Sequence, residues 1–383
     1  MDKVTLGSLC YPASGQISVS DETMIDYIDI SSVDSNKKAV TGYQTLRFGD
    51  APSRARKAVK VNSILVSTLR PNLNAVAIID RETPNKTIVS TGFCVLDCKE
   101  NVSTRFVFHY CKSKSFIKDM ISKATGASYP AVSDKIIRAA LVPNYSYAEQ
   151  CTISRKLDII EKVIFDRKAE LVLLDDLIKA RFVEMFGDLR INPFGWQLQS
   201  FDRLTELITD GEHATPKRVE HGIYLLSARN VLNHALQLDD VDYIDQEEYD
   251  RIAKRVVPRA GDVLISCSGT VGRCCSVPQG IKFQMVRSAA LLRFKDCINP
   301  VFAEYMITSD FLQDQINSSK TASSQANLFQ GKIAKLKGFV PPIELQNEFL
   351  SFVKQVEKSK IAVQKALDES QTLFDSLMQK YFE

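Results

Sequence analysis

Two stretches of the chain place apolar side chains at alternating steps of three and four. In the first they are Ile153, Leu157, Ile160, Ile164, Leu171, Leu174, Ile178 and Met185, with Arg167 and Arg181 at the remaining places. In the second they are Phe349, Phe352, Val356, Val363, Ala366, Leu373 and Leu377, with Ser359 and Ser370 in the gaps. Sustained for several heptads, this spacing puts a narrow apolar seam on a helix and favours a coiled coil. Two long helices, each packed on its own domain, remain the plainer alternative. No Pro or Gly interrupts either stretch. The helices are predicted to begin near Ser146 and near Ile343.

Between them the pattern changes to short apolar runs. Residues 63–67, 75–79, 87–89, 105–109, 263–267 and 289–294 read as strands, and 116–123 and 302–317 as helices. Gly211, Gly261, Gly269 and Gly272 punctuate the later part as turns.

The two halves correspond. Each long helix follows a proline-containing entry, ALVP at 140–143 and FVPP at 339–342, and proline bars a helix upstream. Each ends alike, FVEMF at 182–186 and MQKYF at 378–382. Leu6 matches Phe201, Ser67 matches Ser266, Pro143 matches Pro341 and Phe186 matches Phe382, at offsets of 195, 199, 198 and 196. So constant an offset marks an internal duplication. It predicts an α/β chain with mixed α+β globules, a pseudo-twofold repeat and a pair of long antiparallel coiled-coil helices. The expected segments are a globule at 1–145, a helix at 146–187, a globule at 188–342 and a helix at 343–383.

Composition sharpens this only in part. The 383 residues are 45% apolar and 25% charged, enough to build sizeable cores and not a disordered chain. No run approaches the ~18–20 apolar residues that cross a bilayer, and the first residues lack a signal-peptide pattern. Nine scattered cysteines suggest reduced thiols and a cytoplasmic location. The net charge of +3 hides a gradient: residues 1–148 hold 19 basic and 13 acidic side chains, whereas 191–343 hold 17 of each. The basic first globule could face phosphates.

Catalytic signatures are missing. NPF at 192–194 lacks the second proline of an adenine methyltransferase motif and reads as a turn before Trp196. There is no GxxxxGK[ST] loop, no nucleophile elbow and no convincing nuclease carboxylate cluster. His109, His213, His221 and His234 do not have zinc spacing, so no metal is expected.

Several stretches, in order along the whole chain, resemble the specificity subunits of type I restriction–modification systems. They are NSILVSTLRPNLN at 62–74, VEMFGD at 183–188 with NPFGW at 192–196, ITDGEHATP at 208–216, GIYLLSARN at 222–230, GDVLIS at 261–266, SGTVG at 268–272 and SQANL at 324–328. The first copy departs from the pattern: it has ASYPA at 127–131 where a Gln/Asn pair is common, and it lacks the Asp-Gly-His opening. The resemblance implies two target-recognition domains, each reading half of a bipartite double-stranded DNA target. A helix pair would serve as spacer, and lengthening residues 155–180 by one heptad should widen the gap. It implies a non-catalytic chain that binds two modification subunits and, with them, two motor-nuclease restriction subunits. S-adenosylmethionine, ATP and Mg²⁺ would belong to those partners, and this chain would hold no cofactor.

Base edges are read by forked or paired donors: Arg on guanine, Asn or Gln on adenine. The candidates in the first copy are Arg54, Arg56, Lys57, Arg70, Asn72 and Asn74. In the second they are His213, Thr215, Lys217, Arg229, Asn230, Ser268, Thr270, Arg273, Gln325 and Asn327. Phe182, Met185, Phe186, Phe374, Met378 and Tyr381 are the candidate partner contacts, with burial in the helix seam as their alternative. Two rival functions stay open: a stand-alone adenine methyltransferase or nuclease, and a coiled-coil adaptor that binds protein rather than DNA.

Overall fold

The structure, a computed structural model, describes residues 2–13, 15–17, 19–319 and 327–383. The chain divides into two units: residues 1–169 with 364–383, and residues 170–363. The two long helices, Tyr147–Phe186 and Ile343–Phe382, each contribute to both units.

The first unit begins and ends its globule on one small sheet, Lys3–Thr5 antiparallel to Leu141–Pro143. A mixed four-stranded sheet runs Gln44–Arg47, Met24–Ile28, Lys86–Ser90, Ala55–Ala58, with the middle pair parallel. A three-stranded antiparallel sheet has Ile64–Ser67 at its centre, between Phe93–Leu96 and Val76–Ile78. All four residues of Ile64–Ser67 are buried, which explains a continuous apolar run without alternation. Helices Thr104–Lys112 and Lys114–Lys123 close one side.

The second unit repeats this plan. Gln197–Ser200 pairs with Lys337–Val340 at the globule's entry and exit. Ile223–Leu226 lies parallel to Phe283–Met285, as Met24–Ile28 does to Lys86–Ser90. Val263–Ser266 is the buried strand between Ala289–Phe294 and Cys274–Ser276. Helices Pro300–Thr308 and Asp310–Ser319 take the place of the first unit's helix pair.

Two expectations need correction. Residues 105–109 are helical, within Thr104–Lys112, not a strand. Phe106, Val107, Phe108, His109, Tyr110 and Cys111 are buried in succession, so a short buried helix reads like a strand, and the Ser103 side chain caps it by accepting from the Phe106 N–H. The single helix expected at 302–317 is two, broken at the extended residue Ser309 (ψ 151°). Ser113 makes the same break in the first copy.

Each unit's main core joins globule to helices. In the first, Ile153 and Leu157 from one long helix and Met378 and Phe382 from the other pack with Phe106, Tyr110 and Phe116. In the second, Ile178, Phe182 and Phe186 meet Phe349, Val353 and Val356 over Phe302 and Met306. Burying each such side chain contributes roughly 1.5–3 kcal/mol. Within the second unit the helices run antiparallel: Arg181 pairs with Glu348 at 3.0 Å and Asp175 with Lys360 at 2.8 Å.

All the predicted seam positions of the first long helix are buried or half-buried. In the second helix the inward face runs through Phe349, Val353, Val356, Lys360, Val363, Leu367, Ser370 and Phe374, whereas Ser359 and Leu373 are exposed. Alternate steps therefore lie one residue further along than expected. Gly187 ends the first helix at φ +79°, where a Cβ would come within 2.4 Å of Pro193. Trp196 then donates its indole N–H to Phe186 O at 2.9 Å. The Asn192 side chain bonds both backbone groups of Trp196, so NPF is a turn.

Candidate nucleic-acid interface

In both copies the buried central strand ends in a loop held by equivalent hydrogen bonds. Ser67 N–H donates to Ala75 O at 2.9 Å, and Ser266 N–H to Arg273 O at 2.8 Å. Val132 N–H donates to Thr68 O, as Leu328 N–H does to Cys267 O, both at 2.9 Å. These bonds fix the loops 68–75 and 267–273 in matching places, with loop ends that a ligand can approach.

In the first loop, Arg70 and Asn72 are exposed. Asn74 is buried: its amide donates to Cys111 O and its oxygen accepts from Lys38. It holds the loop and has no free edge for a base. The Arg54 guanidinium is exposed but bonds Asp29 at 2.7 Å. Arg56 lies over the Phe48 ring at 4.9 Å and donates to Ala55 O. Lys57 is tied to Phe93 O and Asp134, which makes it an internal brace.

In the second copy Ser268 is half-buried and Thr270 exposed, and the half-buried Arg273 donates to Ala228 O. Asn230 is fully buried: its oxygen accepts from Ser227 and its amide donates to Gln237 O and Asp240 O. It is a capping residue, not a base reader. Arg229 is exposed and shares Asp242 with Arg218. The Arg218 and Arg229 guanidinia hold the Asp242 carboxyl below its usual range. His213, Thr215 and Lys217 lie on an exposed loop, with His213 Nε2 2.8 Å from Asp210. Asn327 is half-buried, and Gln325 lies outside the described residues.

The partner candidates are mostly interior. Phe182, Met185 and Phe186 are buried among Phe302, Tyr305 and Phe349. Met378 is buried in the first unit's core, and Phe374 and Tyr381 pack half-buried against it. These side chains join helix to globule. The exposed apolar positions of the long helices are others, chiefly Ile159, Phe165, Val172, Leu173 and Ile361.

Among the described residues one set, His109, Asp158 and Glu161, brings metal-type ligand atoms together. Arg105 forks onto Asp158 and Lys112 bonds Glu161, so cations already occupy both carboxylates. The set is a brace between Thr104–Lys112 and the first long helix. His213, His221 and His234 do not converge: His234 bonds Glu304 at 2.9 Å and stacks on Tyr305, and His221 meets the Tyr243 ring.

A repeated α/β unit with matched surface loops, each copy leading into a long helix, defines a duplicated two-globule architecture. Residues 230–370 match the model of the type I restriction modification DNA specificity domain. The chain is 21% identical over 323 residues to the type I restriction enzyme EcoBI specificity subunit of Escherichia coli, covering 76% of this chain and 67% of that one. Its fold is similar, with a TM-score of 0.65 and 22% identity, to a chain in a structure describing complex assembly and conformational transition of the type I R-M system, covering 100% of this chain and 97% of that one. A type I restriction-modification system S subunit from M. genitalium aligns with a TM-score of 0.59 and 13% identity over 100% of this chain and 96% of that one. Residues 230–370 thus match a type I restriction modification DNA specificity domain, and the chain as a whole is similar to specificity subunits of type I restriction–modification systems.

Proposed function

We propose that each globule reads one half of a bipartite duplex target, and that the long helices set the gap and dock modification subunits. The observation that supports this most is the duplicated loop architecture, with the same strand, bonds and helix entry in each copy. Linking two weak half-site readers in one chain makes the second contact intramolecular and the whole site tight. Docking falls to the exposed side chains Ile159, Phe165, Val172 and Leu173. Two modification subunits and two restriction subunits complete the assembly, in the cytoplasm. Adenine methylation with S-adenosylmethionine, and cleavage with ATP and Mg²⁺, are the work of those partners, and this chain catalyses neither.

Mapping methylated adenines across the genome, with and without this chain and with the modification subunits present, tests the reading. A two-part motif that disappears with the chain supports it. Unchanged methylation overturns it.

A further inference from the structure

Four backbone positions have positive φ in both copies at matching places. Three pair as Lys38 with His234, Asn62 with Gly261, and Asn74 with Gly272. The fourth pairs Arg70 (φ 48°) with Gly269 (φ 67°). The left-handed region penalises any residue with a Cβ, and Asn tolerates it better than most. Arginine where the sister loop uses glycine is therefore a strained choice, and strain of this kind is retained where a side chain is needed.

The surroundings indicate the need. The Arg70 guanidinium lies 4.9 Å from the centre of the Tyr129 ring. Tyr129 is 70% exposed. Arg70 has no carboxylate partner among the described residues, unlike Arg47, Arg54 and Arg105. Its backbone N–H donates to Pro130 O at 2.7 Å, and Thr125 and Ala131 exchange two 2.9 Å bonds across the base of the Tyr129 loop. Gly126 allows that loop to close, since a Cβ there would lie 2.9 Å from Tyr129 O. Tyr129 stands three residues before Val132, as Gln325 stands three before Leu328. A guanidinium held over a ring keeps its donors free at the edge, where they match the paired acceptors of guanine.

Building on the reading above, we propose that Arg70 reads a guanine in the first domain's half-site, with Tyr129 as its positioning residue. Arg70→Gly places in the strained position the residue that the second copy uses, so it should fold at least as well as the parent chain. Assembled with modification subunits and offered a randomised duplex pool, the parent should select a two-part motif. The R70G complex should lose discrimination at one G·C pair, in one half only, by about 5- to 150-fold, as expected for one forked contact. Tyr129→Phe should retain the motif and Tyr129→Ala should blur the same base pair. An R70G motif identical to the parent's overturns the proposal, as does uniform weakening on all sequences, which marks a phosphate contact. A parent complex that selects no motif overturns the underlying reading instead.

Discussion

Gln150 and Gln346 make the same clamp in the two copies, 196 residues apart. Each lies buried in the first turn of a long helix. The Gln150 oxygen accepts from Ser103 N–H and its amide donates to Tyr145 O. The Gln346 oxygen accepts from Asn299 N–H and its amide donates to Pro341 O and Cys297 O. Ser103 and Asn299 cap corresponding helices, so one side chain locks the helix entry to the globule.

Replacing either glutamine with leucine strands those backbone groups in a buried site. An unpaired buried donor or acceptor costs roughly 1–3 kcal/mol. Q150L should lower the unfolding midpoint of the first unit, and Q346L that of the second. Denaturant unfolding of each full-length variant checks this, and an unchanged curve would disprove the clamp.

The first unit should weaken in acid in two stages. Burial lowers the His109 pKa from 6.5, outweighing the Asp158 bond that raises it, so the folded ring stays neutral. The unfolded chain takes up a proton there as pH falls below about 6.5. The stability from His109 is therefore full above that pH and is lost as pH drops through it. Burial alone would raise the Asp158 carboxyl, but bonds from His109 and Arg105 hold it well below 3.8. Its contribution is present above that value and is lost further into acid. Denaturant stability followed from about pH 8 down to about pH 1 is the measurement, and H109Q should remove the upper stage and shrink, but not abolish, the lower one, which Arg105 still supports.

Asn230→Ala separates a structural from a reading role. The side chain makes bonds only within its own loop, so its removal should cost about 1–3 kcal/mol of second-unit stability. The recognised sequence should stay the same once the complex is assembled at low temperature. Relaxed specificity at a single A·T pair in stable protein would restore Asn230 to the base readers.

How far the sequence leads depends on what each residue packs against. The first helix carries adjacent apolar pairs, Ile159/Ile160, Leu173/Leu174 and Leu177/Ile178, and of the two phases they allow, the buried one is the one that the spacing picks out. The second contains the adjacent pairs Phe352/Val353, Ala366/Leu367 and Leu373/Phe374, which satisfy two phases, and the globule's packing chooses between them. Residues 105–109 looked extended because a short run of successive buried residues, rich in Phe and Val, cannot be told from a buried strand by its pattern. In the site, Asn74 and Asn230 have the chemistry of base readers, but backbone and side-chain partners, distant for Asn74 and within its own loop for Asn230, consume their donors and acceptors. Tyr129 escaped notice because a lone tyrosine has no pattern, and its link to Arg70 arises only from the loop's bridge to 125–131.

The docking role proposed for the exposed apolar side chains of the long helices has a test apart from the interior aromatics. Phe165 and Leu173 are 71% and 67% exposed, so aspartate at either should change stability by no more than about 0.5 kcal/mol. Co-purification with modification subunits should fall severalfold. By contrast, F182D should unfold the second unit, since Phe182 sits between Phe302 and Phe349. Full retention of partners by both surface variants would move docking off these helices.

The spacer role has its own test. Each helix is 40 residues long, about 60 Å at 1.5 Å per residue. Inserting one heptad after Ala169 and another after Val363 extends both helices where the chain passes from one unit to the other. Seven residues add about 10 Å and turn the helix by only about 20° from a full repeat, so the apolar seam keeps its phase. Ten ångströms is about three base-pair steps of 3.4 Å. Methylation mapping should then return the same two half-sites with a gap longer by about that amount. Intact half-sites with an unchanged gap would show that helix length does not set the spacing.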